Sequence, residues 1–302
     1  MISKILQLEC IMVLLGAIGF FLRRRNVITA EGQNCITDLL LDVILPCNIF
    51  LSFETDVDRE MLHSFAVTVA ISVIVMVLVA ALGKWLYRRQ EESRQKVFRY
   101  GLVNSNALFL GLPIIQSLLG ADGVLQLTMY MIFVRMFCWS YGLSLYTGIK
   151  ADRRATAKRL LTNPCMVAAE LGVVAMLTGF RLPAMLEQTA DYCNRCLMAL
   201  SMLLIGAVLT DLKPGRFFHG DVWGFTLLRL VLIPGAVYLG CRLFQVPQVV
   251  AATCTLLSGM PAASMTAVLA ARYDGDAELG SLLVAGSTLL SAVTIPLWYL
   301  LF

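Results

Sequence analysis

The sequence is poor in charge and in the residues that most enzymes use for chemistry. Charged residues make up 15% of its 302 positions, and it has only 2 histidines. It contains no HExxH, GxSxG or GxxxxGK motif, so a zinc peptidase, a serine hydrolase and an ATP-driven pump find no support. Hydrophobic residues reach 59%, which is more apolar surface than one soluble core can bury. We therefore expect an integral membrane protein with no enzymatic activity, no cofactor and no nucleic-acid partner.

The nine cysteines lie inside apolar segments without a repeated spacing, which is not the pattern of a disulfide framework. Cys193 and Cys196 form a single CxxC pair. A tetrahedral zinc site needs four ligands, and neither a second pair nor a histidine lies near these two. We expect the thiols to pack in helices and expect no metal site.

Ten apolar segments divide the chain, and we number them 1 to 10 in order. A bilayer core about 30 Å thick needs about 20 apolar residues per helical crossing. Lipid offers no partners for open backbone groups, so long, uniformly apolar segments predict helices and not barrel strands. The expected fold class is an all-α polytopic membrane protein with ten transmembrane helices, at residues 5–22, 35–53, 62–87, 98–118, 123–148, 161–179, 188–210, 222–244, 248–272 and 277–301.

Basic residues alternate between the connectors. The connectors after even-numbered segments hold only Arg59, Arg181 and Arg242, and those after odd-numbered segments hold most of the positive charge. By the positive-inside rule, the odd connectors face the cytoplasm, and both termini are expected on the non-cytoplasmic side of the inner membrane. The basic connectors contain Arg23–Arg25, Lys84–Arg99, Lys150–Arg159, Lys213 with Arg216, and Arg272.

Five segments precede the connector Lys150–Arg159 and five follow it. An odd number of crossings in each half turns the second half upside down, which is the arrangement of an inverted repeat. We therefore expect one transmembrane domain, built from repeats at about residues 1–149 and 160–302.

Segments 4 and 9, the fourth of each half, contain residues that interrupt helices. Proline lacks an amide donor and glycine weakens a helix, so both segments are expected to break near mid-membrane, where freed backbone dipoles bind ions or carboxylates. The alternative is that these residues only kink the helices. The candidate binding residues are Asn104, Asn106, Gly111 and Pro113 in segment 4, and Ser258, Gly259, Pro261 and Ser264 in segment 9.

Ionisable residues inside apolar segments are costly unless they face a cavity or a partner, so each is a candidate functional residue. Arg135 in segment 5 is the preferred substrate or gate residue, because a guanidinium can grip a carboxylate with two hydrogen bonds. The open alternative is a structural ion pair of Arg135 or Arg195 with Glu170, and Arg229 in segment 8 is equally ambiguous. Asp42 is either a coupling charge or a solvated group near the cytoplasmic end of segment 2.

Several short motifs follow one another along nearly the whole chain: Leu45-Pro46-Cys47-Asn48-Ile49-Phe50, Asn106 to Pro113, Asn163-Pro164, Met202 to Gly206, Met260-Pro261-Ala262-Ala263, Tyr273 and Thr294-Ile295-Pro296-Leu297. Their order resembles the auxin efflux carrier family. The compact length resembles the bacterial members described as malate, malonate or general organic-acid permeases. Plant auxin carriers typically have a long hydrophilic loop after segment 5, whereas this connector is only Lys150 to Leu160, so auxin is not the expected substrate.

The resemblance implies a scaffold of segments 1, 2, 6 and 7 and a transport domain of segments 3–5 and 8–10, which moves like an elevator. It places the substrate near Asn106, Gly111 and Pro113 on segment 4 and Pro261 on segment 9. The expected function is secondary transport or facilitated movement of a mono- or dicarboxylate, with H⁺ or Na⁺ coupling and a homodimeric state left open. The alternatives are a cation/proton antiporter of the related fold, which usually relies on adjacent acidic residues, and an anion-sensing membrane receptor.

Overall fold

The computed structural model describes residues 2–54, 59–147, 162–210 and 220–302. Within these ranges the chain is helical apart from short turns, and it contains no strand, only one isolated β-bridge. The connector Lys150–Leu160 and the basic residues Lys213 and Arg216, which entered the sidedness prediction, lie outside the described residues. The expected all-α class is confirmed.

Helices occupy all five predicted segments of the first half, and several extend beyond them. Segment 4 begins earlier than predicted. Its helix starts with a charged turn at Glu92, which lies before the apolar stretch. The bounds are Ile2–Arg24 for segment 1; Ala30–Leu39, Leu40–Ile44 and Leu45–Ser52 for segment 2; Arg59–Leu86 for segment 3; and Glu92–Val103, Ala107–Gly111, Leu112–Phe137, Cys138–Gly142 and Leu143–Thr147 for segments 4 and 5.

Helices also occupy the five predicted segments of the second half. The bounds are Pro164–Thr178 for segment 6; Ala184–Arg195 and Leu197–Leu209 for segment 7; Gly220–Leu227, Leu228–Leu232 and Ile233–Leu243 for segment 8; Gln248–Ser258 and Met265–Arg272 for segment 9; and Ala277–Tyr299 for segment 10.

Six helical stretches in the described part of the chain are long and apolar enough to cross a membrane. Pro164–Thr178 and Gln248–Ser258 are apolar but shorter. The count of ten crossings and the inverted repeat therefore stay predictions. The six stretches are Ala30–Ser52, Met61–Leu86, Ala107–Tyr146, Ala184–Leu209, Gly220–Leu243 and Ala277–Tyr299.

The longest of these stretches is folded back on itself. Ala107–Tyr146 has 40 residues, and at 1.5 Å per residue it would be about 60 Å long, twice the bilayer core. Gly120 divides it with φ 65° and ψ −154°, a backbone conformation that glycine alone adopts readily. The Cys138 thiol consequently lies 3.7 Å from Oδ1 of Asn104. Segments 4 and 5 are thus two antiparallel helices that meet at Gly120.

Three wide π-helical turns each end two residues before a proline. They are Leu40–Ile44 before Pro46, Ala107–Gly111 before Pro113, and Leu228–Leu232 before Pro234. A proline inside a helix removes one hydrogen bond and pushes its ring against the preceding turn, and an i→i+5 turn gives the ring room. Such turns are frequent at functional sites, and two of these three adjoin the site described below.

Segments 1 and 7 pack backbone against backbone. A side chain added at Gly206 would overlap the carbonyl group of Gly16, and one added at Gly19 would overlap Leu203. Small residues at helix contacts allow this approach in membranes, where van der Waals packing stabilises helix association. The contact joins two helices of the predicted scaffold across the two halves of the chain.

Candidate functional site

Both predicted helix breaks are present. In segment 4 the helix ends at Val103 and resumes at Ala107, and in segment 9 it ends at Ser258 and resumes at Met265. In segment 9 the break contains Gly259 and Pro261, so the alternative in which they only kink a continuous helix is wrong there. In segment 4 the break precedes Gly111 and Pro113, which lie in the helical stretch from Ala107 to Phe137. The polar sequence Asn104-Ser105-Asn106 forms the first break, and the run from Gly259 to Ser264 forms the second.

The two breaks cross and bind each other. The amide of Asn106 donates to the carbonyl of Pro261 at 2.8 Å, and the amide of Ala263 donates to the carbonyl of Asn104 at 3.1 Å. These bonds close an antiparallel bridge between Ser105 and Ala262. An unpaired backbone group costs several kcal/mol in a bilayer, so each broken helix supplies partners that the other lacks.

Arg229 binds the carboxyl ends of both interrupted helices. Its Nε donates to the carbonyl of Met260 at 2.9 Å, and its Nη1 donates to the carbonyl of Leu102 at 2.5 Å. The side chain is only 1% exposed. Helix carboxyl ends carry partial negative charge, and a guanidinium has a planar fork of donors that can serve two carbonyls at once. Arg229 is thus placed as a structural charge that fastens the crossing.

A cavity of about 470 Å³ adjoins the crossing. Broken segments 4 and 9 form one side of it, together with parts of segments 5 and 10, and segments 2 and 7 form the other. Its volume falls within the range of ligand sites in proteins, about 300–1,000 Å³. Its polar lining includes Gln33, Asn34, Thr37, Asn104, Ser105, Asn106, Arg135, Asn163, Ser264 and Thr288.

Arg135 is the one charged side chain among the described residues that line this cavity. Its Nη1 donates to Oδ1 of Asn163 at 2.6 Å. The same oxygen accepts from the amide of Met166 at 3.3 Å and caps helix Pro164–Thr178. No carboxylate of the described residues lies within 4.0 Å of Arg135. Asn163 therefore orients the guanidinium without neutralising it, and the described lining of the cavity carries a net positive charge.

Nine residues were predicted to bind substrate, and the structure brings four of them to the cavity. Asn104, Asn106, Ser264 and Arg135 line it. The other five are buried and lie outside the lining, and they pack the crossing: Gly111, Pro113, Ser258, Gly259 and Pro261.

The small size of Gly111 explains why it belongs to the packing and not to the lining. A Cβ there would lie 3.3 Å from Leu257 and 3.4 Å from Met260, so glycine lets segments 4 and 9 approach closely. At Gly259 a Cβ would lie 3.2 Å from the ring of Pro234. Gly111 and Gly259 therefore allow close packing of the crossing without lining the cavity.

The predicted ion pairs with Glu170 are absent from the described residues. Arg195 instead pairs with Asp191 at 2.8 Å, four residues earlier on its own helix, and Arg135 binds Asn163. Glu170 and Asp42 are exposed on the surface of the chain, and neither lines the cavity. Whether Glu170 meets either arginine depends on how segment 6 is rotated about its axis. Apart from Glu170 this segment is apolar on all sides, so its sequence did not indicate which way Glu170 faces.

Reasoning from sequence missed the cavity residues on segments 2 and 6. Gln33 and Asn34 precede the predicted segment and were assigned to a connector, and Thr37 lies inside it but was not singled out. All three lie in helix Ala30–Leu39 and line the cavity. Asn163 directly precedes Pro164, and this pair is the usual signature of a helix cap and first turn. That signature could have identified the cap, but its contact with Arg135 depends on the tertiary structure.

The fold and the cavity together define a helical membrane transport protein. The chain belongs to the membrane transport protein family, that is, the auxin efflux carrier family, whose model matches residues 1–158 and 153–299.

Several relatives align over almost the entire chain. An uncharacterised transporter of Methanocaldococcus jannaschii is 22% identical over 306 residues, covering 95% of this chain and 96% of the relative. One of Methanothermobacter thermautotrophicus is 28% identical over 299 residues, covering 95% and 94%. A protein of Rhizobium meliloti, whose name proposes that it transports malonate, is 21% identical over 288 residues, covering 92% and 89%.

Proposed function

We propose that this transporter moves small organic anions, mono- or dicarboxylates such as malonate or malate, across the cytoplasmic membrane. The observation that carries the proposal is the unneutralised Arg135 in a cavity whose other described lining residues are all uncharged. A guanidinium in a partly desolvated site attracts a carboxylate strongly and binds it with directed hydrogen bonds.

The neutral polar groups of the cavity suit the rest of such a substrate. Side-chain amides at Asn104 and Asn106 offer donors on the crossing, and Ser264 adjoins the amino end of helix Met265–Arg272. Amino ends of helices have free amides and partial positive charge, which favours anions. A dicarboxylate could place one carboxylate at Arg135 and the other at the crossing. The name of the Rhizobium meliloti relative proposes malonate, which agrees with this assignment.

The position of the cavity along the helices suggests an inward-facing conformation. Its lining includes Asn34 near the start of segment 2, Asn163 before segment 6 and Leu209 at the end of segment 7. These ends adjoin the basic connectors that the positive-inside rule assigns to the cytoplasm. The cavity also lies between the proposed scaffold and the proposed transport domain, where an elevator-type carrier would hold its substrate.

The two alternative functions have less support. A cation antiporter needs an acidic residue to bind its ion, and the described residues that line the cavity include no carboxylate. An anion-sensing receptor would bind the same ligand without moving it, so a transport measurement separates it from a carrier. The same measurement with imposed H⁺ or Na⁺ gradients identifies any coupling ion.

A homodimer through segment 6 is a further part of the proposal. Glu170 is exposed next to the exposed apolar residues Leu171 and Val174. A carboxylate facing lipid costs several kcal/mol, and contact with a second copy of the chain would reduce that cost. Cross-linking of single cysteines placed on this face, in native membranes, measures the contact.

Ligand-induced stabilisation and vesicle uptake test the substrate proposal together. Malonate, malate and acetate are each added to purified protein during thermal unfolding, and labelled malonate uptake is measured in proteoliposomes. Arg135→Gln is expected to lose stabilisation and uptake, Arg135→Lys to retain part of both, and Asn106→Ala to weaken both. Arg195→Gln is the matched control, because Arg195 is exposed and pairs within its own helix. Equal stabilisation of all four variants would contradict the assigned site.

A further inference from the structure

Three side-chain amides form a partly buried cluster away from the cavity. Nδ2 of Asn48 donates to Oε1 of Gln116 at 3.0 Å and to Oδ1 of Asn194 at 2.6 Å. Nε2 of Gln116 donates to the same Oδ1 of Asn194 at 3.3 Å. Asn48 is only 3% exposed. We call these three residues the amide triad.

The amide triad connects the two proposed domains. Asn48 and Asn194 belong to segments 2 and 7 of the proposed scaffold, and Gln116 belongs to segment 4 of the proposed transport domain. Helix Leu45–Ser52 packs against both helix Ala184–Arg195 and helix Leu112–Phe137 at this place. The triad is therefore the polar part of a contact between elements that an elevator motion would separate.

The triad and the cavity lie at opposite ends of the same helices. On segment 2 the cavity is lined at Thr37 and Leu41, and Asn48 follows seven residues beyond Leu41, about 10 Å further along the helix. On segment 4 the cavity is lined at Asn106, and Gln116 follows ten residues later, toward the reversal at Gly120. The triad thus closes the side of the interface to which the cavity does not open.

We propose that the amide triad is the outer gate of the transport path, formed in this conformation and broken when the transport domain moves. The proposal rests on the proposed function, because it requires a carrier with two moving parts. Asn48, Gln116 and Asn194 are then positioning residues of the transport cycle, and the passing solute is a carboxylate to which their amide groups can donate.

The hydrogen bonding of the triad suits a contact that must open. Oδ1 of Asn48 is buried and has no hydrogen-bond partner among the described residues. A buried acceptor without a partner costs about 1–3 kcal/mol, and water would satisfy it once the gate opens. The closed state is thus held by the two hydrogen bonds that Gln116 makes to the scaffold, whereas a buried ion pair would leave costly unpaired charges on opening.

Two double-cysteine variants test the gate. Asn48→Cys with Gln116→Cys joins scaffold to transport domain, and Asn48→Cys with Asn194→Cys joins two scaffold helices and is the matched control. Both are made in a chain in which the exposed and half-buried natural cysteines are replaced by alanine. A short bifunctional reagent that forms a disulfide with each of the two thiols then links each pair, so a reductant can reverse the link. The replaced cysteines are Cys10, Cys35, Cys47, Cys138, Cys193 and Cys196.

Uptake of labelled malonate into proteoliposomes and malonate-induced thermal stabilisation are measured before and after linking. We expect linkage of positions 48 and 116 to reduce uptake to background while stabilisation persists, since the cavity stays accessible. Linkage of positions 48 and 194 should leave the uptake of that variant at its value before linking, and reductant should restore uptake in the first variant.

Unchanged uptake after linkage of positions 48 and 116 would overturn the gate. Block by both linkages would overturn the domain assignment on which the gate depends. Absence of any malonate binding or uptake before linkage would overturn the proposed substrate instead, so the two failures are distinguishable.

Discussion

The amide of Asn106 donates to the carbonyl of Pro261 at 2.8 Å, and this bond joins the two places where the chain loses regular helix. Each break exposes peptide groups that lipid cannot satisfy. Because the breaks cross, the second hydrogen bond, from Ala263 to Asn104, follows from the same antiparallel geometry. The crossing is therefore a paired element, and we expect segments 4 and 9 to move as one body.

Replacement of Arg229 is expected to destabilise this crossing. Arg229→Leu removes two donors to the buried carbonyls of Leu102 and Met260, and each unpaired acceptor costs about 1–3 kcal/mol. Arg229→Lys should retain part of the stability, because an ammonium donates as a point charge without the planar fork. Thermal unfolding in detergent measures both.

Arg195→Gln is the control for this prediction. Its exposed pair with Asp191 spans four residues of one helix and contributes only about 0.3–0.5 kcal/mol. An Arg229→Leu protein as stable as this control would show that the two carbonyls do not depend on the guanidinium.

The break in segment 9 could be predicted from sequence because its cause is local. Proline and glycine disturb the helix in which they lie, and Gly259 and Pro261 lie in that break. In segment 4 a break was also predicted, but it lies at Asn104–Asn106, before Gly111 and Pro113, so these two residues do not explain its position. The partners of Arg229 could not be predicted, since they are carbonyl groups on two other segments. No sequence pattern marks a carbonyl as unpaired until the helices that carry it are placed.

The charged residues show the same limit. Arg135 lines the cavity, which agrees with the expectation that a cation inside an apolar segment faces polar surroundings, and its role toward a substrate stays a prediction. The pairing with Glu170 was wrong, because it depended on the rotation of segment 6, whose sequence is apolar on every face. Cavity residues at Gln33 and Asn34 were missed because the helix of segment 2 begins at Ala30, before its apolar stretch begins.

Gly206 is expected to be essential for packing of segment 1 against segment 7. A Cβ at this position would overlap the carbonyl of Gly16, so Gly206→Ala should force the helices apart at a cost of about 1–3 kcal/mol. Gly240→Ala is the matched control, because nothing lies within 4 Å of a Cβ there. Thermal unfolding of the two variants compares a glycine in a close helix contact with one that faces open space. Equal stability of the two variants would contradict the close packing at Gly206.

Gly120 should resist substitution for a different reason, the backbone angle. No atom lies within 4 Å of a Cβ at Gly120, but φ is 65° and ψ is −154°. An alanine in such a region costs about 1–3 kcal/mol. We expect Gly120→Ala to lower thermal stability, and Gly224→Ala, a helical glycine with open space, to leave it unchanged or raise it. A neutral Gly120→Ala would mean that the reversal between segments 4 and 5 tolerates another geometry.

Asn163 links helix capping to anion binding, and the two roles can be separated. Asn163→Ala removes the cap of helix Pro164–Thr178, which costs about 1 kcal/mol, and also removes the acceptor that orients Arg135 at 2.6 Å. Thr29→Ala removes a comparable cap, that of helix Ala30–Leu39, without contact to Arg135. Both variants should lose similar thermal stability. Only Asn163→Ala should weaken malonate binding, by about tenfold if one charge-assisted hydrogen bond orients the guanidinium. Titration of malonate-induced stabilisation measures the difference, and equal affinities in the two variants would show that Arg135 needs no support from Asn163.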